Sequence, residues 1–245
     1  MQSTPESQQQ FDLSRLEIIA QDQTLVAINK PAGLLVHRSA IDFHEQHNAQ
    51  ELLQRQIEHR VFPVHRLDKP TSGVLLFALN KEIASNLAHK FQNHEIRKEY
   101  IAIVRGHTAD YGYIDNPVRD KDAPQKPRKQ ALTNYRTLAR ITLPVTVDRY
   151  PEARYSKVNL QPESGRRHQL RQHMKHISHP IIGDTSYGKS VHNRFFKQHL
   201  QCSRLLLHAE GLTFTHPVNG EQISLKAETD DQFKRICNLV EWQCA

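Results

Sequence analysis

Apolar and β-branched residues recur along this chain in short runs that alternate with turn-forming residues. Runs of this length, bounded by Gly, Pro, Asn and Asp, are typical of β-strands. The first two runs are separated by Gln21-Asp22-Gln23, which predicts a hairpin at the start of the sheet. The last two are joined by a turn at 217–220. The predicted strands are 16–20, 25–28, 74–79, 98–106, 132–140, 155–160, 205–208, 212–215 and 223–227.

A second pattern, apolar residues at helical spacing, predicts three or four helices. Residues 49–59 carry an apolar stripe with Asn48 in the N-cap position, and 80–93 repeat this pattern with an asparagine cap of their own. Residues 164–177 open as a loop and continue at helical spacing. A short terminal helix is predicted from about Asp231.

The predicted helix within 164–177 has an apolar stripe formed by Leu170, Met174 and Ile177. Cations stack at every fourth position on the neighbouring face, at Arg167, Arg171 and Lys175. Such a charged face is usually solvated, but arginine is also the natural partner of a phosphate or of a catalytic carboxylate. The residues alone do not choose between these interpretations.

Strands with interspersed helices, without regular βαβ alternation, predict an α+β fold around a mixed, mainly antiparallel sheet. The 245 residues fit one domain, which we expect to span 13–245. Residues 1–12 contain Gln, Ser and Pro with almost no apolar anchor, so we expect a disordered tail there.

The charge of the chain narrows the choice of partners. Lys and Arg number 33 against 26 Asp and Glu, a net charge of +7, which favours nucleic acid first and an anionic membrane surface second. No apolar run could span a bilayer and no signal-peptide pattern is present, so we expect a cytoplasmic protein without a membrane. Residues 107–130 are predicted to form an exposed basic loop with Arg119, Lys121, Lys126, Arg128 and Lys129.

The chain lacks the sequence patterns of several kinds of metal and nucleotide site. Cys202, Cys237 and Cys244 form no C-x-x-C pair, which excludes the ligand set of the zinc deaminases. The segment His44-Glu45-Gln46-His47 is not H-E-x-x-H, and the glycines occur singly rather than in a phosphate-binding motif. We therefore expect neither a metal nor a nucleotide cofactor.

The stretch 65–78 joins a polar, turn-like half to an apolar half that is predicted to be a buried strand. Asp68 therefore lies at the mouth of a core strand. The string Asp68-Lys69-Pro70-Thr71-Ser72-Gly73 is typical of a turn, which would make Asp68 only a turn residue. Arg66, two residues away, favours instead an ionised carboxylate held by a cation, which can act as nucleophile or base.

Four motifs, in this order and spanning about 16–227, resemble those of the RluA family of pseudouridine synthases. Together they are far more specific than any one of them. They are Asn29-Lys30-Pro31-Ala32-Gly33 with Val36-His37, His65-Arg66-Leu67-Asp68 with Thr71-Ser72-Gly73, Lys98-x-Tyr100-x-Ala102 with Gly106, and Gly165-Arg166-x-His168-Gln169-Leu170-Arg171 with Pro180-Ile181-x-Gly183-Asp184.

The resemblance implies a role for each matching residue. Asp68 corresponds to the catalytic aspartate, Tyr100 to the active-site tyrosine and Arg171 to the arginine that pairs with the aspartate. Arg66 corresponds to the residue that enters the RNA helix in place of the extruded uridine, and Leu170 helps to line the base pocket. We also expect RNA to contact Lys30, Arg119, Lys126, Arg128, Lys129, Arg167 and His168.

The implied activity is the isomerisation of uridine to pseudouridine in RNA by base flipping, without a cofactor. The compact form without an N-terminal S4-type domain most resembles the TruC branch of the family, which acts on tRNA and implies uridine-65 as the target. A ribosomal RNA target is the alternative, followed by a noncatalytic RNA-binding protein and a metal-dependent hydrolase. We expect a monomer, since no free amphipathic heptad is present.

Overall fold

The computed structural model describes residues 15–38, 47–238 and 242–244, so the predicted tail at 1–12 lies outside the described residues. The strands are β1 (Glu17–Gln21), β2 (Leu25–Lys30), β3 (Phe62–Pro63), β4 (Ser72–Ala78), β5 (Arg97–Arg105), β6 (Tyr111–Asp115), β7 (Leu132–Leu143), β8 (Ala153–Pro162), β9 (Leu207–Thr215), β10 (Gln222–Lys226) and β11 (Gln243–Cys244). The helices are α1 (Ala49–Gln56), α2 (Lys81–Gln92), α3 (Gln169–His176), α4 (Ser190–His199) and α5 (Asp231–Cys237).

One sheet contains all of these strands. Its main path runs β1-β2-β4-β9-β5-β8-β7-β11, and β3, β6 and β10 pair with β4, β7 and β9. Every strand pair is antiparallel except β4 with β9, which are parallel at Ser72–His208 and Gly73–Ala209. The predicted α+β fold with a mixed, mainly antiparallel sheet is therefore confirmed.

Strand β4 is buried along its whole length because both faces of the sheet are covered there. Leu76 packs in a cluster with Leu87 of α2, whereas Leu75 packs in a second cluster with Leu53 of α1. Successive side chains of a strand point to opposite faces, so a strand covered on both sides needs a continuous apolar run. Each of these leucines contributes about 1.5–3 kcal/mol of burial energy.

Several predictions from local sequence patterns are confirmed. β1 and β2 form the predicted hairpin. The side chains of Asn48 and Asn80 accept hydrogen bonds from the first turns of α1 and α2, as predicted. None of the helices in the described part of the chain is long and apolar enough to cross a membrane.

Three element predictions are wrong. The predicted loop at 107–130 contains strand β6, an edge strand whose Tyr111 and Tyr113 are exposed. The predicted strands 205–208 and 212–215 are one strand, β9, because Gly211 interrupts the apolar run without ending the ladder. Helix α4 was not predicted and brings the number of described helices to five; its buried residues are His192 and Phe196.

The cation face predicted within 164–177 is also wrong. Helix α3 begins at Gln169 with His168 as its N-cap, so Arg167 lies before the helix and not on its surface. Arg171 is only 4% exposed and points into the protein. The apolar side of the prediction is correct, since Leu170 and Met174 are buried.

Candidate active site

A cleft of about 260 Å³ opens where the turn before β4 meets the loop before α3. Strand β5 contributes Lys98 and Tyr100 to its lining. Seven residues that the sequence marked as functional line this one cleft, although they come from three separate parts of the chain. They are Arg66, Asp68, Tyr100, Arg167, His168, Leu170 and Arg171.

Asp68 lies in the turn that precedes β4, and its carboxylate faces the cleft. The hydrogen bond that closes the turn runs from the Thr71 N–H to the backbone carbonyl of Asp68, at 2.9 Å, so the turn does not use the carboxylate. Gly73 holds β4 tightly against β9, because a Cβ there would lie 2.1 Å from the carbonyl oxygen of Ala209. The turn is thereby attached to a rigid, buried strand.

Arg171 connects Asp68 to a second carboxylate. Its Nη1 lies 3.2 Å from Asp68 Oδ2, while its Nε and Nη2 donate to the two oxygens of Asp184 at 2.7 and 2.9 Å. Burial alone would lower the pKa of Arg171, but the hydrogen bonds and charges of Asp184 and Asp68 raise it above its ordinary value. The guanidinium is therefore a permanent cation in a fixed orientation beside Asp68.

Asp184 is a buried carboxylate with a full set of partners. Besides Arg171, its Oδ1 accepts hydrogen bonds from the backbone N–H groups of Ser186 and Tyr187, at 2.8 and 2.9 Å. Burial raises the pKa of Asp184, but Arg171 and these two amides outweigh it and hold the pKa below the usual value. Asp184 is therefore an ionised anchor for Arg171.

His168, the N-cap of α3, also lies near Asp68. It adopts a left-handed backbone conformation, with φ of 53°, and its Nε2 lies 3.8 Å from Asp68 Oδ2. Its Nδ1 lies 3.1 Å from the hydroxyl of Tyr187. Burial holds the pKa of His168 below its usual value in spite of the opposing charge of Asp68, so the imidazole is neutral at physiological pH.

Strand β5 supplies a phenol and an ammonium group. Burial, together with the charge of Asp68, raises the pKa of Tyr100 well above its ordinary value, so the phenol stays protonated. Burial and the neighbouring Arg166 lower the pKa of Lys98 to about 8, against the opposing charge of Glu163. The Lys98 ammonium donates to the backbone carbonyls of Glu163 and Ser164, at 3.3 and 3.2 Å.

Lys30, which we expected to contact RNA, is placed elsewhere by the structure. Its side chain is 0% exposed, and its Nζ donates to the carbonyl oxygens of Pro31, Leu34 and Lys69 at 2.8, 2.7 and 3.2 Å. All three donors are thus used inside the protein, so the prediction for Lys30 is wrong. Burial, followed by the charge of Arg204, lowers the pKa of this ammonium group to about 7.

The predicted basic loop is exposed but does not line the cleft with its cations. Lys126, Arg128 and Lys129 project from its outer part. Arg119 is exposed at its base, where its backbone N–H and carbonyl bond to the side chain of Gln172, at 3.1 and 2.9 Å. These four residues are exposed and do not line the cleft.

Three residues of the site were not identified as functional from the sequence. Lys98 and Asp184 both occur in the motifs quoted above, but no function was assigned to either residue. Asp120 lines the cleft from the basic loop, and no motif in the sequence pointed to it. Within the described residues, no group of three or more His, Cys, Asp or Glu side chains is arranged to hold a metal.

Comparisons with known proteins show the family of this chain. A family model described as RNA pseudouridylate synthase matches residues 24–176, a range that includes Asp68, Tyr100 and Arg171. The tRNA pseudouridine synthase C of Pasteurella multocida (strain Pm70) is 48% identical over 235 residues, which cover 93% of this chain and 97% of the relative. The protein of the same name from Vibrio cholerae (strain N16961) is 46% identical over 236 residues, with 93% and 97% covered.

Solved structures show the same architecture. Human RNA Pseudouridylate Synthase Domain Containing 1 superimposes with a TM-score of 0.70 at 25% identity, covering 95% of this chain and 90% of that one. Human RNA Pseudouridylate Synthase Domain Containing 4 superimposes with a TM-score of 0.68 at 26% identity, covering 89% and 90%. The chain therefore belongs to the RNA pseudouridylate synthase family, as the resemblance of its four sequence motifs implied.

Proposed function

We propose that this RNA pseudouridine synthase isomerises uridine-65 of tRNA and that Asp68 is its catalytic residue. The observation that carries the proposal is the Asp68 carboxylate, which faces the cleft and is held at 3.2 Å by the buried Arg171. The tRNA substrate is supported by the names of the relatives, which share 46% and 48% of their residues with this chain. The position is supported by the likeness to the TruC branch.

The reaction needs no redox partner. The C1′–N1 bond breaks, the freed uracil turns, a C1′–C5 bond forms and the proton on C5 is replaced by one on N1. Atoms and electrons balance within the nucleotide, so the protein has to supply only positioning and proton transfer. We accordingly propose that it works without a bound metal or cofactor.

Asp68 can begin this sequence by two routes. It can attack C1′ and form a glycosyl ester, or it can remove a sugar proton to give a glycal. Both routes require the carboxylate to be aimed at the sugar, and the Arg171 guanidinium contacts it at 3.2 Å. The role that we propose for Arg171 is to orient Asp68.

The uracil needs a surface on which it can turn without leaving. Tyr100, Leu170 and Leu207 line the cleft and offer a ring and two apolar walls. Because the Tyr100 phenol stays protonated, it acts through ring contact and as a hydrogen-bond donor, and not as a phenolate base. We propose that Tyr100 holds the uracil by ring contact while it turns.

A uridine stacked in RNA must be flipped out to reach Asp68, at a cost of a few kcal/mol. Arg66 is exposed at the edge of the cleft, two residues before Asp68, and can fill the space that the base leaves. Lys126, Arg128 and Lys129 of the basic loop can contact the phosphates, which gives salt-dependent binding with little sequence information.

We propose that the chain acts as a monomeric single domain over 13–245, in the cytoplasm.

The substrate is tested by mapping pseudouridines in total RNA from cells that lack this chain. We expect one pseudouridine, at position 65 of tRNA, to be absent and to return when the wild-type chain is supplied. The Asp68→Asn variant should not restore it. Loss of a ribosomal RNA pseudouridine, with every tRNA pseudouridine retained, would assign the enzyme to the alternative substrate.

A further inference from the structure

The basic loop carries two acidic residues on the side that faces the cleft. Asp120 and Asp122 both pair with Arg167, where Nη1 lies 3.0 Å from Asp120 Oδ1 and contacts Asp122 Oδ2 as well. The Asp122 N–H also donates to Asp120 Oδ1 at 3.1 Å, which fixes the two carboxylates relative to each other. One guanidinium is thus enclosed by two carboxylates.

A neighbouring lysine strengthens the same attachment. Lys121 donates to the carbonyl of Ser186 at 3.2 Å, and its ammonium lies 4.1 Å from the ring centroid of Tyr187. Tyr187 is the residue whose hydroxyl contacts His168 of the site. Residues 120–122 therefore attach the loop to the cleft by side chains alone.

The base of the loop is fixed independently of these side chains. Val118 and Lys129 exchange two backbone hydrogen bonds of 2.9 Å, and Gln172 of α3 bonds to the backbone of Arg119. Residues 120–122 can therefore leave the cleft without unfolding the loop. The parts that hold them there are half-exposed: Arg167 is 34% exposed, and Asp120 and Asp122 are 42% each. Such pairs are weak in water.

Arg167 is suited to a phosphodiester, because a guanidinium binds the oxygens of a phosphate as it binds those of a carboxylate. It lines the same cleft as Arg166 and Asp68. A phosphate that approaches Arg167 would meet Asp120 and Asp122 first and be repelled by them. The two aspartates thus occupy the place of the phosphate oxygens.

We propose that Arg167 is a binding site for an RNA phosphate and that Asp120 and Asp122 occupy it in the free enzyme as internal competitors. Binding of RNA exchanges the two carboxylates for a phosphodiester and releases Lys121 toward the RNA. The exchange penalises RNA that cannot place a phosphate at Arg167 while its uridine is in the cleft. This inference rests on the proposed function, since the ligand is the RNA substrate.

The test is a double-mutant cycle on binding of an unmodified tRNA transcript. Asp120→Asn with Asp122→Asn should lower Kd by about three- to tenfold, which corresponds to the loss of two half-exposed ion pairs. In an Arg167→Gln background the same two substitutions should change Kd by less than about twofold. Asparagine keeps the size of aspartate, so these variants are expected to fold.

The matched control removes the same charge from arginine-paired acids outside the cleft, Asp110 with Arg140 and Glu152 with Arg154. Asp110→Asn with Glu152→Gln should leave Kd within about twofold. An equal gain in the control, an equal gain in the Arg167→Gln background, or no gain in the Asn variants would overturn the proposal.

A separate measurement, release of tritium from C5-labelled tRNA by the wild-type enzyme, tells the two proposals apart. Tight binding without release would contradict the proposed function and leave the result of the cycle standing as it is. Tritium release by the wild-type enzyme, together with no gain in tRNA affinity for the Asn variants, would contradict only the role of the two aspartates.

Discussion

Arg171 is shared by two carboxylates that differ in burial. The Asp184 side chain is fully buried and takes two of the guanidinium nitrogens, whereas Asp68 is 18% exposed and takes one. A planar guanidinium that is held at two points can present its remaining nitrogen in only one direction. Asp184 is therefore a positioning residue that acts on Asp68 through Arg171.

We predict that Asp184→Asn lowers kcat for tRNA by about 100-fold, equivalent to about 2.7 kcal/mol of barrier, with KM within about threefold. The amide can still accept from the backbone of Ser186 and Tyr187. Its NH₂ group, however, then faces the Nε donor of Arg171, and the guanidinium turns away from Asp68. The measurement is steady-state kinetics over a range of tRNA concentrations, which gives kcat and KM separately.

Asp148→Asn is the control for this variant, because it removes a carboxylate that pairs with Lys189 away from the cleft. It should keep kcat within about threefold. Since breaking a buried ion pair also destabilises a protein by about 3–5 kcal/mol, each rate is normalised to the folded fraction. A folded Asp184→Asn enzyme with the wild-type kcat would remove Asp184 from the mechanism.

The sequence identified part of this network and missed the rest for physical reasons. Asp68 could be found because a polar turn meets a buried strand there, and both features are local. Asp184 occurs 116 residues later, and only the folded chain shows that it holds Arg171. Lys30 was misassigned because a lysine beside proline and glycine is usually exposed, whereas here three backbone carbonyls solvate it.

Between elements, Lys30 joins the end of β2 to two loops. Its ammonium bonds to the carbonyls of Pro31 and Leu34 in the loop after β2, and to the carbonyl of Lys69 in the turn that carries Asp68. Three donors thus meet three acceptors in a buried place. Lys30 therefore stabilises the turn that carries Asp68 from inside the protein.

We predict that Lys30→Met lowers the free energy of unfolding by about 2–4 kcal/mol, because three buried carbonyl oxygens lose a charged donor. Chemical denaturation with an unchanged m-value measures this loss. Lys81→Met, at the exposed start of α2, should change stability by less than about 0.5 kcal/mol. Equal stability of Lys30→Met and wild type would show that the ammonium does not hold the two loops.

Elements with a strong periodic pattern were predictable and those without one were not. The apolar run of β4 and the capped stripes of α1 and α2 carry their own signals. Strand β6 lacks one because Tyr111 and Tyr113 point to solvent at the sheet edge, and Gly112 between them packs against Tyr135. Its place is set by pairing with β7, which is a long-range contact.

Across the whole molecule, which carries a net charge of +7, some positive side chains are exposed and others are paired with acids. The cations of the outer loop, Lys126, Arg128 and Lys129, are exposed. Two of the cations in the cleft are paired with acids: Arg171 with Asp68 and Asp184, and Arg167 with Asp120 and Asp122. We therefore propose that the exposed loop cations supply general attraction for RNA, whereas these two paired arginines serve orientation and selectivity.

We propose that Asp68, held in this cleft, drives the isomerisation of a tRNA uridine. The most direct test is tritium release from C5-labelled tRNA by purified wild-type, Asp68→Asn and Asp110→Asn enzymes, with tRNA binding measured in parallel. We predict release by the wild-type and Asp110→Asn enzymes, and a rate lower by about three orders of magnitude or more for Asp68→Asn, about 4 kcal/mol of barrier, with binding retained. Release by Asp68→Asn at the wild-type rate would show that Asp68 does not drive the isomerisation.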